Sequence, residues 1–164
     1  MYKYLIDGYN LLFKIHAAGD TLKEKRDRII KALNQKAELY HLNLSIVFDG
    51  KQRDPLESVR RHLSHLEIIY TAENESADAY ILSFLSTTPV QGLIVITSDL
   101  QLKKQCALLG AQTQTIEEFL IALERKKKRK EQKKTSAGSF VESPSELLRL
   151  LEIFEKKLGE PDQE

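Results

Sequence analysis

With 164 residues, 41% of them apolar, the chain can form one globular domain plus an appendage. Its one cysteine, Cys106, excludes an internal disulfide framework and any multi-cysteine zinc site, and suits a reducing compartment. The net charge of +1 hides a division, because residues 125–134 carry eight positive charges and one negative, leaving the remainder at about −6. No apolar run reaches the ~20 residues of a membrane-spanning helix. The N-terminus lacks the basic-then-apolar plan of a secretory signal. A soluble, cytoplasmic protein with no membrane partner is expected.

Residues 2–7 read as a buried strand running into Asp7-Gly8, followed by a polar turn and the apolar pair Leu11-Leu12. Gly19-Asp20-Thr21 breaks the pattern, and Thr21 with Glu24 forms a capping box for a helix over about 22–42. Leu22, Ile29, Ile30, Leu33, Ala37 and Tyr40 supply that helix's apolar face. Residues 44–50 read as the second strand, an apolar run that again ends in Asp-Gly, at Asp49-Gly50.

Asp54-Pro55 with Glu57 predicts a helix start, with Leu56, Val59, Leu63 and Leu66 inward and Arg60, Arg61 and His65 outward. The third strand is Leu66–Tyr70. The segment Thr71–Asp78 then opens a helix through Ile81, Leu82 and Leu85, stopped at Thr87-Thr88-Pro89. Residues 93–99, Leu-Ile-Val-Ile-Thr-Ser-Asp, read as the fourth and clearest buried strand, again ending in an aspartate, Asp99. The next helix, about 100–109, is expected to bury Leu102, Cys106 and Leu109 before Gly110 ends it. Residues 111–115 form a fifth strand. Thr115 and Glu118 cap a last core helix with Ile116, Phe119, Leu120 and Leu123 inward, and that helix runs on into the basic segment. The expected division is a domain over 1–125, a basic segment and linker over 126–142, and a C-terminal amphipathic helix over 143–164.

Strands alternating with helices predict an α/β fold whose parallel sheet is covered on both faces. Right-handed crossovers bring the carboxyl ends of all strands to one edge. Asp7, Asp49 and Asp99 follow three of those ends, and Asp78 lies in the first turn of a helix after a fourth. If the first strand neighbours the fourth, Asp7 faces Asp99 across a switch point. Glu75 and Asp78, three apart, would share a helix face. Grouped carboxylates repel one another unless a cation sits among them, and hard oxygen donors suit Mg²⁺ or Mn²⁺ rather than zinc. For each aspartate taken singly, a helix cap or turn is at least as good a reading. Asn10 reads either as a helix-start residue or as one that orients a ligand. Tyr9 and Cys106 read as packing residues, and His62 and His65 as surface residues.

Ile6-Asp7-Gly8-Tyr9-Asn10, Val47-Phe48-Asp49-Gly50, Glu73–Asp78 and Thr97-Ser98-Asp99 together resemble the NYN domain of the YacP-like family, within the PIN-like nucleases. The resemblance spans roughly residues 2–125. It implies a three-layer α/β/α fold with strand order 3-2-1-4-5 and a metal-dependent endoribonuclease. Asp7, Asp78 and Asp99 match the family's acidic site, Asn10 its motif asparagine, and Asp49 a flanking acidic position. By analogy with ribosome-associated members that cut mRNA, it also implies an RNA substrate and a ribosome partner.

In such a site Asp7, Asp78 and Asp99 would be direct or water-mediated ligands of Mg²⁺ or Mn²⁺, with Asp49 and Glu75 as secondary ligands. Water attack leaves 5′-phosphate and 3′-hydroxyl ends. Lys126, Lys127, Lys128, Arg129 and Lys130, with Arg60 and Arg61, are the residues expected to attract RNA phosphates. A non-catalytic RNA- or ribosome-binding adaptor is the alternative. A phospho-receiver domain fits poorly, because Asp7 is followed by glycine and residues 111–115 contain no lysine.

Overall fold

The computed structural model describes residues 2–15, 21–53 and 59–132. Among them, strands β1 (Lys3–Asp7), β2 (Asn43–Phe48), β3 (Arg60–His62), β4 (Leu66–Tyr70), β5 (Leu93–Ile96) and β6 (Gln112–Gln114) form one sheet in the order β3-β4-β2-β1-β5-β6. Five of these strands are parallel and take the expected order, while β3 is antiparallel and lies on the edge. The helices are α1 (Gly8–Lys14), α2 (Leu22–Tyr40), α3 (Ala77–Thr87), α4 (Leu100–Leu108) and α5 (Ile116–Gln132).

Side-chain alternation along the strands divides the core in two. Ile6, Ile46, Phe48, Ile68 and Ile96 face one way and pack against Leu11, Ile29, Leu33, Ile116, Phe119 and Leu123 of α1, α2 and α5. Leu5, Val47, Ile69 and Val95 face the other way, onto Ala77, Ile81, Leu85, Leu102 and Cys106 of α3 and α4. This is the three-layer arrangement, with Cys106 buried in its core as expected. Both capping boxes form. The Thr21 N–H donates to Glu24 Oε2 at 2.8 Å, and the Thr115 N–H to Glu118 Oε2 at 2.7 Å.

The structure corrects three local expectations. The helix predicted across residues 54–65 is replaced, within the described residues, by β3. The ladder continues beyond it, with the Tyr70 N–H donating to the Val59 carbonyl and the Leu63 N–H to the Leu66 carbonyl. Arg60 and His62 flank Glu67 on one face of this pair, so a period of two fits these residues better than the helical spacing of Val59, Leu63 and Leu66. Val59 is consequently exposed. The proposed cap at Asp54-Pro55 and Leu56 lie outside the described residues. Leu109 is 40% exposed, because α4 ends at Leu108 and the chain turns through Gly110 at φ +81°. Glu75 precedes α3, whose cap is Ser76, so Glu75 and Asp78 do not share a helix face.

The proposed linker and the final amphipathic helix lie outside the described residues. No helix among the described residues is long and apolar enough to cross a membrane.

Candidate active site

β1 lies between β2 and β5, and the connection from β1 to β2 covers one face of the sheet while that from β4 to β5 covers the other, so the carboxyl end of β1 is the switch point. Asp7 sits there, only 6% exposed. The glycine after it is required by packing, since a Cβ on Gly8 would stand 2.5 Å from the Phe48 ring and 2.7 Å from the Val47 carbonyl oxygen. Gly50 has the same role at the end of β2, where a Cβ would collide with the Thr71 carbonyl. The repeated Asp-Gly thus lets the chain turn from strand to helix against close neighbours.

Asp7 caps α1, with its Oδ1 accepting from the Asn10 N–H at 3.2 Å, while Oδ2 accepts from the Thr97 hydroxyl at 3.2 Å. The same Thr97 oxygen accepts the Asp99 N–H at 3.2 Å, and Asp99 in turn caps α4 through the Leu102 N–H at 2.8 Å. One buried threonine therefore ties Asp7 to the Asp99 backbone. Burial pushes the Asp7 carboxyl up from 3.8 to about 6, and the charges of Asp78 and Asp99 add to the rise, against the Asn10 and Thr97 hydrogen bonds. Asp78 is raised by burial and then by Asp99. These three aspartates form one electrostatic group. Asp7 and Asp99 are helix caps, as the local reading of a strand-end aspartate expects, and they also belong to that electrostatic group.

A second network holds the loop from the other side. Asn10 Oδ1 accepts the Ser98 N–H at 2.6 Å. The Ser98 hydroxyl donates to Glu117 Oε2 at 2.8 Å and accepts the Ile116 N–H at 3.0 Å. Glu117 also pairs with Lys14 at 2.9 Å. Burial works against its charge, but the Lys14 ammonium and the Ser98 hydroxyl prevail and hold the carboxyl down at about 2. Sequence reasoning gave Lys14, Thr97, Ser98 and Glu117 no role. Only the Thr97-Ser98 pair before Asp99 hinted at one.

The remaining predicted residues are placed elsewhere. Asp49, two positions past the register partner of Asp7, accepts the Lys51 N–H at 3.1 Å and caps a short turn, Gly50–Gln52. Glu75 lies in the turn before α3, where its carbonyl accepts the Thr71 hydroxyl at 2.5 Å. Neither Asp49 nor Glu75 is among the charges that raise Asp7. Arg60 pairs with Glu67 at 3.2 Å and donates to the Tyr80 hydroxyl at 3.0 Å, so it serves the sheet edge. Arg61 faces α2 instead. Tyr9 packs edge-on against Phe48, as expected of a packing residue. His62 and His65 are exposed.

Lys126, Lys127, Lys128, Arg129 and Lys130 belong to α5 itself. That helix starts beside Ser98, so at 1.5 Å per residue they lie about 15 to 21 Å down its axis, toward the opposite end of the sheet. There Lys130 donates to the Leu39 carbonyl at 2.9 Å, near the end of α2.

Among the described residues, no three His, Cys, Asp or Glu side chains are placed to enclose a metal ion between them. The donor set still suits a hard cation such as Mg²⁺, which keeps several waters and needs only one or two carboxylates. A carboxyl held at about 6 by burial and by two neighbouring carboxylates is relieved by a positive charge.

The chain is similar to two crystal structures of Rae1 (YacP) from Bacillus subtilis. One, of a single-substitution mutant, is 22% identical with a TM-score of 0.62, covering 95% of this chain and 97% of that one. The other is 27% identical with a TM-score of 0.60, covering 96% and 92%. No curated protein matches the chain significantly. The model of the YacP-like NYN domain matches residues 4–157, reaching well beyond the 2–125 expected from the motifs and taking in the basic segment. The chain therefore belongs to the YacP-like NYN domain family.

Proposed function

We propose that this chain is a metal-dependent endoribonuclease that hydrolyses RNA phosphodiester bonds, with mRNA on the ribosome as the target class. The observation that carries the reading is the buried Asp7 carboxyl, held at about 6 beside Asp78 and Asp99 at the sheet's switch point. Membership of a nuclease-type family supports it. Asp7, Asp78 and Asp99 would hold Mg²⁺ or Mn²⁺, directly or through water, and the bound ion supplies a water nucleophile and neutralises charge on the phosphate.

The chain's own residues provide the position. Thr97 spaces Asp7 from the Asp99 backbone, and Asn10 fixes Ser98, so the loop carrying Asp99 cannot drift from α1. Asp49 and Glu75 act, on this reading, only through the turns they hold. Because water attacks, the products carry 5′-phosphate and 3′-hydroxyl ends.

The test is a labelled RNA pool incubated with the wild type, Asp7→Asn and Asp78→Asn, with and without Mn²⁺. Metal-dependent cleavage by the wild type alone is expected. Absence of cleavage at every Mg²⁺ and Mn²⁺ concentration would overturn the reading. It would favour a non-catalytic RNA- or ribosome-binding adaptor, for which the basic end of α5, remote from the acidic group, is the supporting feature.

A further inference from the structure

An acidic site repels the polyanion it cuts, so the attraction has to come from another surface. The basic end of α5 is badly placed to supply it near the cut. It lies toward the far end of the sheet, and part of its charge is engaged, with Lys130 on the Leu39 carbonyl and Lys127 3.9 Å from Glu131. A second basic surface opens toward the aspartate edge, where Lys23 stands in the first turn of α2.

Between α2 and β3 runs a cleft of about 570 Å³, lined by Lys23, Lys31 and Arg61 against the single carboxylate of Asp27, with Ile30 and Leu63 as apolar floor. Strand alternation decides what Arg61 does. Arg60 and His62 turn to the face of Glu67, whereas Arg61, paired with Ile68, turns toward α2. There its guanidinium has no hydrogen bond or ion pair to another described residue. A planar guanidinium in a cleft of net positive charge matches the fork geometry of a phosphate oxygen pair.

The register sets the distance. Asp7, Val47, Ile69 and Arg60 stand on one line across the sheet. At about 4.8 Å per strand, the Arg61 position lies on the order of 15 Å from Asp7. α2 runs antiparallel to the strands, so Lys23 in its first turn stands nearest the edge that carries the aspartates. A chain lying in the cleft would pass Lys23 and bend over that edge to reach Asp7. A single strand can make that bend and a stiff duplex cannot.

We infer that the cleft between α2 and β3 holds the phosphate backbone of single-stranded RNA a few nucleotides from the bond that is cut. The inference rests on the endoribonuclease reading and adds the substrate's path to it. The bland alternative is a solvated groove whose lysines and arginine serve only solubility, and it predicts no effect of Arg61 on RNA.

The experiment measures binding of a single-stranded RNA of about ten nucleotides to the full chain carrying Asp78→Asn, alone and combined with Arg61→Gln, Arg61→Lys or serine at 126–130, across a salt series. Arg61→Gln should weaken binding about tenfold. It should also shallow the slope of log affinity against log salt by about 0.7, the value for one lost phosphate contact on a single strand. Arg61→Lys should restore most of both, and a dinucleotide should be indifferent to all three. Because Arg61 is exposed, an unchanged melting temperature will show that the fold is intact. Wild-type affinity and slope for Arg61→Gln would overturn the inference, as would a loss found only with the 126–130 replacement. The enzymatic reading is judged separately, by Mn²⁺-dependent cleavage with the unmutated chain. Cleavage that persists while Arg61→Gln binds normally condemns the cleft alone.

Discussion

A carboxylate as buried as Asp7, with two others near it, is held at a cost that a neutral side chain avoids. Its carboxyl lies at about 6 in the fold against an ordinary 3.8. Between those pH values the folded chain keeps a proton that the unfolded chain has released. Stability is therefore full below pH 3.8 and falls as pH rises through about 6. Asp7→Asn should stabilise the metal-free protein at pH 8 by on the order of 1–3 kcal/mol, with the gain vanishing below about pH 4. Thermal melts of both proteins against pH would show it, and a mutant less stable than wild type at pH 8 would refute it. Added Mn²⁺ should raise the wild-type melting temperature and leave that of the mutant unmoved. Glu117 has the opposite sign. Its carboxyl is lowered from 4.5 to about 2, so its contribution is present above pH 4.5 and lost as pH falls toward 2. Glu117→Gln should be less stable than wild type at neutral pH and indistinguishable from it near pH 2.

At the scale of elements, the strand-to-helix turns explain which parts of the site were legible. Asp7-Gly8 and Asp49-Gly50 were readable because each motif is local, an apolar run closed by a cap and a residue without a side chain. The physical need for glycine was not readable, since it arises from Phe48 and Thr71, remote in sequence. Gly8→Ala should cost about 1–3 kcal/mol, as overpacking does, because the Phe48 ring has to move. Gly50→Ala should cost more, because it meets backbone. Denaturant unfolding should rank the two in that order, and an equal or reversed order would show that the turn at Gly50 yields more easily than its geometry implies. β3 was misread for a related reason. Val59, Leu63 and Leu66 fit a helical period, and only the Glu67 carboxylate across the ladder, bonded to Ser45 and flanked by Arg60 and His62, makes an edge strand the better solution. Likewise the Asn10–Ser98–Glu117–Lys14 chain joins α1, the loop after β5 and α5. No local pattern encodes such a meeting.

At the scale of the whole molecule, the charge division seen in the composition becomes a separation in space. The acidic group lies at the carboxyl edge of the sheet, while the basic end of α5 lies about 15 to 21 Å along that helix from its start. On the path inferred through the cleft between α2 and β3, a short RNA engaged at Asp7 leads away from that end, whereas a long RNA or a ribosome would engage both. Replacing Lys126, Lys127, Lys128, Arg129 and Lys130 by serine should therefore act according to the size of the partner. Cleavage of a strand of about ten nucleotides should change less than about twofold, because its phosphate contacts lie elsewhere. Binding to ribosomes or long RNA should weaken severalfold, with a flatter salt dependence, as released counterions are lost. A small loss of thermal stability should accompany both, because the bond from Lys130 to the Leu39 carbonyl joins α5 to the end of α2. Cosedimentation with ribosomes and single-turnover cleavage of the short strand, measured on the same variant, separate these effects. If short and long substrates lose cleavage equally, the two charged ends act on the same stretch of RNA, and the spatial division has no functional meaning.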